Sequence, residues 1–282
     1  MHNITIVGAG AMGCLFAARL AESGANVTLI DVDTKRLDAL SRDGITISDD
    51  GGERNIPIRA VAAADAAGPV DLLFLFTKGM HSADAMRSVA HLAGPETFAI
   101  TLQNGLGNAE AIAAIFAADR ILIGSTDFPA DLEGPTRVSS HGSGKAWIGA
   151  YSPGAEPGVG PAVALLRASG LDAIADPDVQ VAIWEKVAFN AALNSLATVT
   201  GLTVGGMDTA AGRRIALAIV EEVAATAEAN GIRLDRASIA GKVDHALANH
   251  RGHKASMLQD RLAGRRTEIE TINGAVVRAA QA

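Results

Sequence analysis

Residues 3–31, NITIVGAGAMGCLFAARLAESGANVTLID, decide the fold because they contain a complete strand, turn, helix and second strand. Ile4–Val7 is a β-branched run that stops at the glycine motif GAGAMG, residues 8–13. An Ala/Leu-rich helical pattern follows and ends at Gly24, and NVTLID is the next strand. In this context G-x-G-x-x-G predicts a βαβ unit that binds a dinucleotide at the N-terminus of its helix.

Each residue of the motif has a predicted task. Gly8 allows the tight turn, Gly10 lets the backbone approach a pyrophosphate, and Gly13 lets the helix pack close to the strand. Ala11 and Met12 form the first turn of the helix, whose N–H groups and positive dipole end attract phosphate. We therefore predict that the first part of the chain binds a dinucleotide.

Further strands extend this unit into a doubly wound sheet. VDLLFLFTK (70–78) and TFAITLQNG (97–105) are continuous apolar runs, as expected for parallel strands buried on both faces. Ligands bind beyond the carboxyl ends of such strands, so Lys78 and Asn104 are candidate cofactor residues. RILIGS (120–125) and KAWIGA (145–150) predict two more strands, and the turn-rich stretch 127–144 predicts a loop or hairpin in the same sheet.

Composition excludes several classes of protein. A hydrophobic fraction of 49% and 30 glycines are typical of a globular enzyme, and a net charge of −7 without a Lys/Arg block disfavours nucleic-acid binding. The N-terminus lacks the basic region of a signal peptide, and no apolar run is long enough to span a bilayer. The single cysteine, Cys14, fits a reducing compartment. We predict a cytoplasmic protein that binds neither nucleic acid nor membranes.

A largely buried helix is predicted to follow the Asp/Pro-containing stretch 172–178. In VQVAIWEKVAFNAALNSLATVTGL (179–202), Lys186, Asn190 and Asn194 are spaced four residues apart, and Thr198 extends the row. At about 100° per residue they form one narrow polar row. Buried polar groups need partners, which either a ligand or an internal hydrogen-bond network can supply. The regular row favours a ligand, rather than an internal network, as the partner of these side chains.

The C-terminal part is predicted to be helical throughout. A helix over about 209–229 ends at Asn230-Gly231, and Ser256 is predicted to cap a later helix. Glu268 and Glu270 follow a basic GRR segment. Acidic residues on a surface helix are usually solvated, so spacing alone does not single out Glu268. The residues Asp244, His245, His250 and His253 are too irregularly spaced to predict a metal site, and we predict none.

Five stretches, in this order, resemble the ketopantoate reductase (2-dehydropantoate 2-reductase) family: IVGAGAMG, FTK, LQNGLGN, WEKVAFNAALN and SMLQDRLAGRRTEIETING. The resemblance covers nearly the whole chain. It implies a Rossmann domain followed by an all-α domain, with the active site in the cleft between them, and we place these domains at 1–172 and 173–282. It also implies reduction of a 2-keto acid to a 2-hydroxy acid with NADPH, in the pathway to pantothenate and coenzyme A.

The resemblance also implies roles for individual residues. Lys186 matches the family's catalytic lysine, the general acid, and Glu268 matches the acid that holds the substrate and steadies that lysine. A positioned ammonium can stabilise the charge that builds on the keto oxygen and can donate the proton. The remaining matches are the substrate residues Asn190, Asn194 and Ser256, and the nicotinamide-side residues Lys78 and Asn104.

The choice between NADH and NADPH depends on the end of the second strand. Asp31 stands where an acid hydrogen-bonds the adenosine ribose and repels a 2′-phosphate. At the next position Val32 replaces the arginine that NADPH-dependent members usually carry. Lys35 and Arg36 follow, but a helix-start or solvated role is at least as good an interpretation as a phosphate contact. We predict NAD(P)H as cofactor, with the local chemistry favouring NADH and the family favouring NADPH.

Two other departures from the family bear on the substrate. His253-Lys254-Ala255 replaces a stretch with an asparagine and a serine, so His253 is a candidate to face the substrate, and the chain ends at Ala282, before the further helical segment of better-known members. Two alternatives stay open: a β-hydroxyacid dehydrogenase, which also carries a Lys-x-x-x-Asn row, and a regulator that senses a dinucleotide without turnover. The TEIETING segment disfavours the first and the polar row the second. The oligomeric state is also open, with a homodimer as one option.

Overall fold

The structure is a computed structural model that describes residues 1–282, and these residues form two compact units. The first unit consists of Met1–Gln103 and Asn108–Val179, and the second of Asn104–Gly107 and Gln180–Ala282. The segment Asn104–Gly107 thus belongs with the helical unit, although the sequence division at 172 assigns it to the first domain.

Twelve strands lie in the first unit. In chain order they are β1 (Asn3–Val7), β2 (Asn26–Ile30), β3 (Ile45–Asp49), β4 (Gly52–Ile56), β5 (Arg59–Val61), β6 (Leu72–Leu75), β7 (Phe98–Thr101), β8 (Ile121–Thr126), β9 (Asp131–Leu132), β10 (Arg137–Ser140), β11 (Ala146–Ala150) and β12 (Ala173–Ala175). The ten helices are α1 (Ala11–Glu22), α2 (Thr34–Asp43), α3 (Ser82–Ser88), α4 (Asn108–Ala113), α5 (Glu156–Ala168), α6 (Val179–Thr200), α7 (Ala210–Ala229), α8 (Arg236–Asn249), α9 (Ser256–Leu262) and α10 (Asn273–Gln281).

The main sheet has eight strands in the order β12-β11-β8-β7-β6-β1-β2-β5. The six strands from β8 to β5 pair in parallel, β11 runs antiparallel to β8, and β12 runs parallel to β11. The sequence order reverses between β1 and β6, so the sheet has a topological switch point at the carboxyl end of β1. In a doubly wound sheet this is where a dinucleotide binds, and the predicted Rossmann fold is confirmed.

A second sheet of four strands, in the order β4-β3-β10-β9, was not predicted. The stretch 127–144 was expected to form a loop or hairpin in the main sheet; it does form a hairpin, but in this second sheet, so the predicted location is wrong. It contributes β9 and β10, and β10 pairs in parallel with β3. The reason is the β3–β4 hairpin, whose strand β3 alternates buried and half-buried residues and offers an edge for this pairing.

Each unit has its own hydrophobic core. In the first unit, α1 contacts strands of both sheets and buries most of its apolar side chains, including Leu15, Phe16 and Leu20. In the second unit, α6, α7 and α8 enclose a core that includes Val187, Val220 and Val243. None of the helices combines the length and the apolar character needed to cross a bilayer.

Candidate active site

The glycine motif forms the turn between β1 and α1. Gly8 has φ +110°, and a Cβ there would lie 2.7 Å from backbone atoms of Phe76 and Thr77, so only glycine fits this turn. A Cβ on Gly13 would lie 1.9 Å from the Gly8 carbonyl oxygen, which explains how α1 packs so closely on the turn. A Cβ on Gly10 would meet no atom within 4 Å, so the backbone of Gly10 faces open space.

The N-terminus of α1 matches what a dinucleotide pyrophosphate requires. Gly10 is the N-cap and supplies no side-chain cap, and the half-buried Ala11 and Met12 follow it in the first turn. The α-helix is 12 residues long, so its N-terminal N–H groups and dipole favour an anion. Together with the open space over Gly10, these features fit a bound dinucleotide.

Asp31 and Arg36 hydrogen-bond the backbone of Ala9, one at its N–H and the other at its carbonyl. One oxygen of the Asp31 carboxylate accepts from the Ala9 N–H at 2.6 Å, and the other accepts from the N–H groups of Val32 and Asp33 at 2.8 and 3.0 Å. The Arg36 guanidinium donates to the Ala9 carbonyl at 2.8 Å. Arg36 is therefore neither a solvated side chain nor only a helix-start residue, and the sequence did not indicate this contact. Val32 is 94% exposed.

A buried polar network supports the loop that carries Lys78. The Gln103 amide nitrogen donates to the Thr77 carbonyl and to the Ser82 hydroxyl, the latter at 3.0 Å. The Ser82 hydroxyl donates to Asn108 at 3.1 Å, and the Thr101 hydroxyl donates to the Gln103 side-chain oxygen at 2.9 Å. Lys78 follows Thr77 directly and is half-buried. The network fixes the carboxyl ends of β6 and β7. Its only signal in the sequence was the polar residues that end the apolar runs 70–78 and 97–105.

The polar row on α6 exists as predicted. Lys186 and Asn190 are half-buried, and Asn194 is 5% exposed. The Asn194 amide nitrogen donates to the Asn190 side-chain oxygen at 3.3 Å, and the Asn190 amide nitrogen donates to the Asn104 side-chain oxygen at 3.4 Å. Three candidate residues from two distant parts of the chain therefore meet in the second unit.

The loop that carries Asn104 is built into the second unit. The Leu106 N–H donates to the Thr271 carbonyl at 2.9 Å, and the Leu106 side chain packs against the core of that unit. Gly105 has φ +83°, and a Cβ there would lie 2.1 Å from the Thr271 oxygen. Glycine is required at this position both for its conformation and for the close approach of the two backbones.

Ser256 does not cap α9, contrary to the prediction. Ala255 is the N-cap, Ser256 is the first residue of the helix, and the Ser256 hydroxyl donates to the Asn194 side-chain oxygen at 3.2 Å. The same oxygen accepts from the Met257 N–H at 3.2 Å. The cap is therefore supplied by an amide on α6, 63 residues away in sequence, which local sequence signals cannot reveal.

Glu268 lies in a turn before α10 and is buried at 9% exposure, so the expectation of a solvated acid on a surface helix is wrong for this residue. The Glu268 carbonyl accepts from the N–H groups of Thr271 and Ile272 at 3.1 and 3.0 Å, which closes the turn. Asn273 then donates to the Ala191 carbonyl of α6 at 3.2 Å. Through Thr271 and Asn273 the turn is fastened both to the Asn104 loop and to the helix that carries Lys186.

The histidines of the second unit do not join these residues. The rings of His245 and His250 pack edge to face with centroids 5.7 Å apart, and His253 is exposed. No group of three or more His, Cys, Asp or Glu side chains in residues 1–282 is arranged to hold a metal ion.

A glycine-motif cofactor site on a parallel sheet, followed by a helical unit with a lysine–amide row, defines an oxidoreductase that uses a nicotinamide dinucleotide. Two family models match the chain: "Ketopantoate reductase PanE/ApbA" over residues 4–153 and "Ketopantoate reductase PanE/ApbA C terminal" over residues 178–282. The chain belongs to the ketopantoate reductase family, as its motifs predicted.

Individual relatives agree with the family. A 2-dehydropantoate 2-reductase of Streptococcus pyogenes is 30% identical over 275 residues, covering 97% of this chain and 89% of its own length. One of Lactococcus lactis is 31% identical over 282 residues, covering 98% and 90%. Among solved structures, the ternary structure of D-mandelate dehydrogenase with NADH and anilino(oxo)acetate superposes with a TM-score of 0.94 at 30% identity, covering 99% of this chain and 92% of that one. The roles of the individual site residues stay predictions.

Proposed function

We propose that this chain is a cytoplasmic reductase that converts 2-dehydropantoate or a related 2-keto acid to the 2-hydroxy acid, with Lys186 as the general acid. One observation carries the proposal: Lys186 stands on the same row of α6 as Asn190 and Asn194, and this row is hydrogen-bonded to Asn104. A lysine beside amide groups suits an anionic substrate whose oxygen must gain a proton.

The proposed chemistry assigns each group one task. A reduced nicotinamide, when bound, would supply the hydride that the keto carbon gains. The Lys186 ammonium stabilises the negative charge that develops on the keto oxygen and donates its proton to that oxygen. The Glu268 carboxylate, held in its buried turn, orients the substrate and the lysine. The side chains of Asn190, Asn194 and Ser256 bind the polar groups of the keto acid, and Asn104 lies on the nicotinamide side.

The relatives' names support the proposed substrate class. The 2-dehydropantoate 2-reductases and the D-mandelate dehydrogenase complex with anilino(oxo)acetate both point to a 2-oxo acid. The test is a spectrophotometric panel in which 2-dehydropantoate, benzoylformate and pyruvate are each offered with NADH and with NADPH. Turnover of at least one 2-keto acid supports the proposal. Oxidation of a 3-hydroxy acid instead would favour a β-hydroxyacid dehydrogenase, and tight dinucleotide binding without turnover of any keto acid would favour a sensor.

We propose NADH as the preferred cofactor. The Asp31 carboxylate beside Ala9 brings a negative charge to the region of the adenosine ribose, and the exposed Val32 brings no positive charge to balance a 2′-phosphate. Two structures of the related D-mandelate dehydrogenase contain NADH. A KM for NADPH well below the KM for NADH would show that this preference is wrong.

Replacement of the general acid separates catalysis from cofactor binding. We expect Lys186→Ala to lower kcat by about 10²–10⁴-fold, the usual worth of a general acid, while the Kd for the dinucleotide stays nearly constant. Lys242→Ala is the matched control, because Lys242 lies on α8 and pairs with Glu185 at 2.8 Å outside the polar row. Unchanged turnover in Lys186→Ala would rule out its role as proton donor.

A further inference from the structure

The Ser82 hydroxyl connects two loops of the chain. Ser82 is the first residue of α3 and is 2% exposed. The Gln103 amide nitrogen donates to its hydroxyl oxygen at 3.0 Å, and the hydroxyl donates to the Asn108 side-chain oxygen at 3.1 Å. Gln103 and Asn108 are the residues at which the chain leaves the first unit and returns to it, because the segment Asn104–Gly107 belongs to the second unit. One hydroxyl group therefore ties together both ends of this segment.

The same hydrogen bonds close the loop that carries Lys78, residues 77–82. The Gln103 nitrogen that donates to Ser82 also donates to the carbonyl of Thr77, at the other end of this loop. A single amide nitrogen thus holds both ends of the loop. Ser82 is therefore shared by the two loops in which the predicted nicotinamide-side residues lie.

Backbone groups fix the direction of these hydrogen bonds. The Gln103 backbone N–H donates to the Thr101 hydroxyl oxygen at 3.2 Å, and that hydroxyl donates to the Gln103 side-chain oxygen at 2.9 Å. A carbonyl can only accept, so the Thr77 carbonyl requires the nitrogen of the Gln103 amide on its side. The Ser82 oxygen accepts from the same nitrogen, and the single proton of its hydroxyl is directed to Asn108. The direction of the network is therefore set within the protein, before a cofactor binds.

We propose that Ser82 is a positioning residue that holds Lys78 and Asn104 in place for the nicotinamide side of the cofactor; the cofactor-binding part of the proposal rests on the proposed function. Loss of the Ser82 hydroxyl removes one donor and one acceptor from a buried site, and Gln103 and Asn108 each lose that partner. Both loops then gain conformational freedom, and more of it is lost again when the cofactor binds.

Ser82→Ala tests this role because it removes the hydroxyl and keeps the Cβ. We expect the Kd for NADH, measured by titration calorimetry, to rise about 5- to 20-fold, as for loss of one or two hydrogen bonds. The Kd for ADP should change less than about twofold, because ADP lacks the nicotinamide and its ribose and keeps the phosphates that the glycine motif is predicted to bind. A protein damaged as a whole would instead bind both nucleotides more weakly.

Ser169→Ala is the matched control, because Ser169 is also buried in the first unit, at 6% exposure. Its hydroxyl bonds the Ser23 hydroxyl at 2.8 Å and the Leu165 carbonyl at 2.9 Å, near the ends of α1 and α5 rather than in either loop. We expect this variant to lower the Tm about as much as Ser82→Ala does and to leave both Kd values unchanged. Gln103→Met, which keeps the length of the side chain and removes its amide, should raise the Kd for NADH as Ser82→Ala does.

Hydrogen–deuterium exchange tests the anchoring without a cofactor and without turnover. In Ser82→Ala, peptides that cover residues 77–82 and 103–108 should exchange faster than in the wild-type protein, whereas the β3–β4 hairpin should not change. If exchange stays unchanged in either loop, or if the Kd for NADH rises no more than the Kd for ADP, the proposal is overturned. A wild-type protein that binds no NADH, together with faster exchange of both loops in the variant, would refute the proposed function and leave the anchoring of the two loops by Ser82 standing.

Discussion

Gly105 is the residue at which one methyl group should both destabilise the second unit and disturb the candidate site. In Gly105→Ala the new Cβ would lie 2.1 Å from the Thr271 oxygen and 2.7 Å from the Thr271 carbonyl carbon. Both are backbone atoms, so the two loops must separate by more than an ångström. The separation breaks the hydrogen bond from the Leu106 N–H to the Thr271 carbonyl, which is 2.9 Å long.

The expected cost has two parts. A non-glycine residue at φ +83° is strained by about 1–2 kcal/mol, and the clash with loss of the buried hydrogen bond adds about 2–3 kcal/mol. Gly107→Ala is the matched control, because Gly107 has φ +89° and a Cβ there would meet no atom within 4 Å. Gly107→Ala should therefore lose only the conformational part, about 1–2 kcal/mol. The difference of about 2–3 kcal/mol corresponds to roughly 4–12 °C in Tm.

Thermal unfolding followed by circular dichroism, combined with steady-state kinetics on the same samples, measures both consequences. Gly105→Ala should have the lower Tm and, at a temperature where both variants are folded, the lower kcat/KM, because Asn104 loses its register with Asn190. Equal Tm values for the two variants would refute the proposed clash between a Cβ at position 105 and the Thr271 backbone. Equal kcat/KM with unequal Tm would refute the link between this loop and the candidate site.

Two further predictions concern the first unit. The Asp49 side chain, 2% exposed, pairs with Arg19 at 2.7 Å and with Arg54 at 2.8 Å, and hydrogen bonds from Arg54 hold its pKa below the ordinary value against the opposing effect of burial. Because the folded pKa is the lower one, this carboxylate contributes its full stabilisation above the unfolded pKa of about 3.9 and loses it as the pH falls through the folded value. Urea titrations from neutral pH to below pH 4 should therefore show Asp49→Asn destabilised by about 1.5–3 kcal/mol at neutral pH, as for loss of hydrogen bonds to charged groups, and less dependent on pH in the acid range. An unchanged acid limb would contradict this. Burial raises the pKa of the Cys14 thiol to about 12. The native protein should therefore react with a thiol reagent at about pH 8 only as fast as the first unit opens, and rapid labelling of folded protein would disprove it.

The local parts of the fold were predictable because their signals are local. The glycine motif, the apolar strand runs and the period of α6 are each contained within a few dozen residues. The four-stranded sheet was not predictable, since β10 finds its partner β3 about 90 residues earlier in the chain, a distance over which periodicity carries no information. The same limit explains the contacts of Arg36 with Ala9 and of Leu106 with Thr271, which depend on backbone groups that no residue type reveals.

The polar row on α6 shows where sequence spacing stops being informative. Spacing places Lys186, Asn190 and Asn194 on one face, and two interpretations of such a face are a ligand site and an internal network. In the structure both amides have partners within the protein at both ends: Asn194 has Met257 and Asn190, and Asn190 has Asn194 and Asn104. The internal network is therefore observed, and a ligand site on the same row stays a prediction. A network that begins at the Met257 N–H can orient the amides of Asn194 and Asn190 before any ligand arrives, and such preorganisation would suit a site for an anionic keto acid.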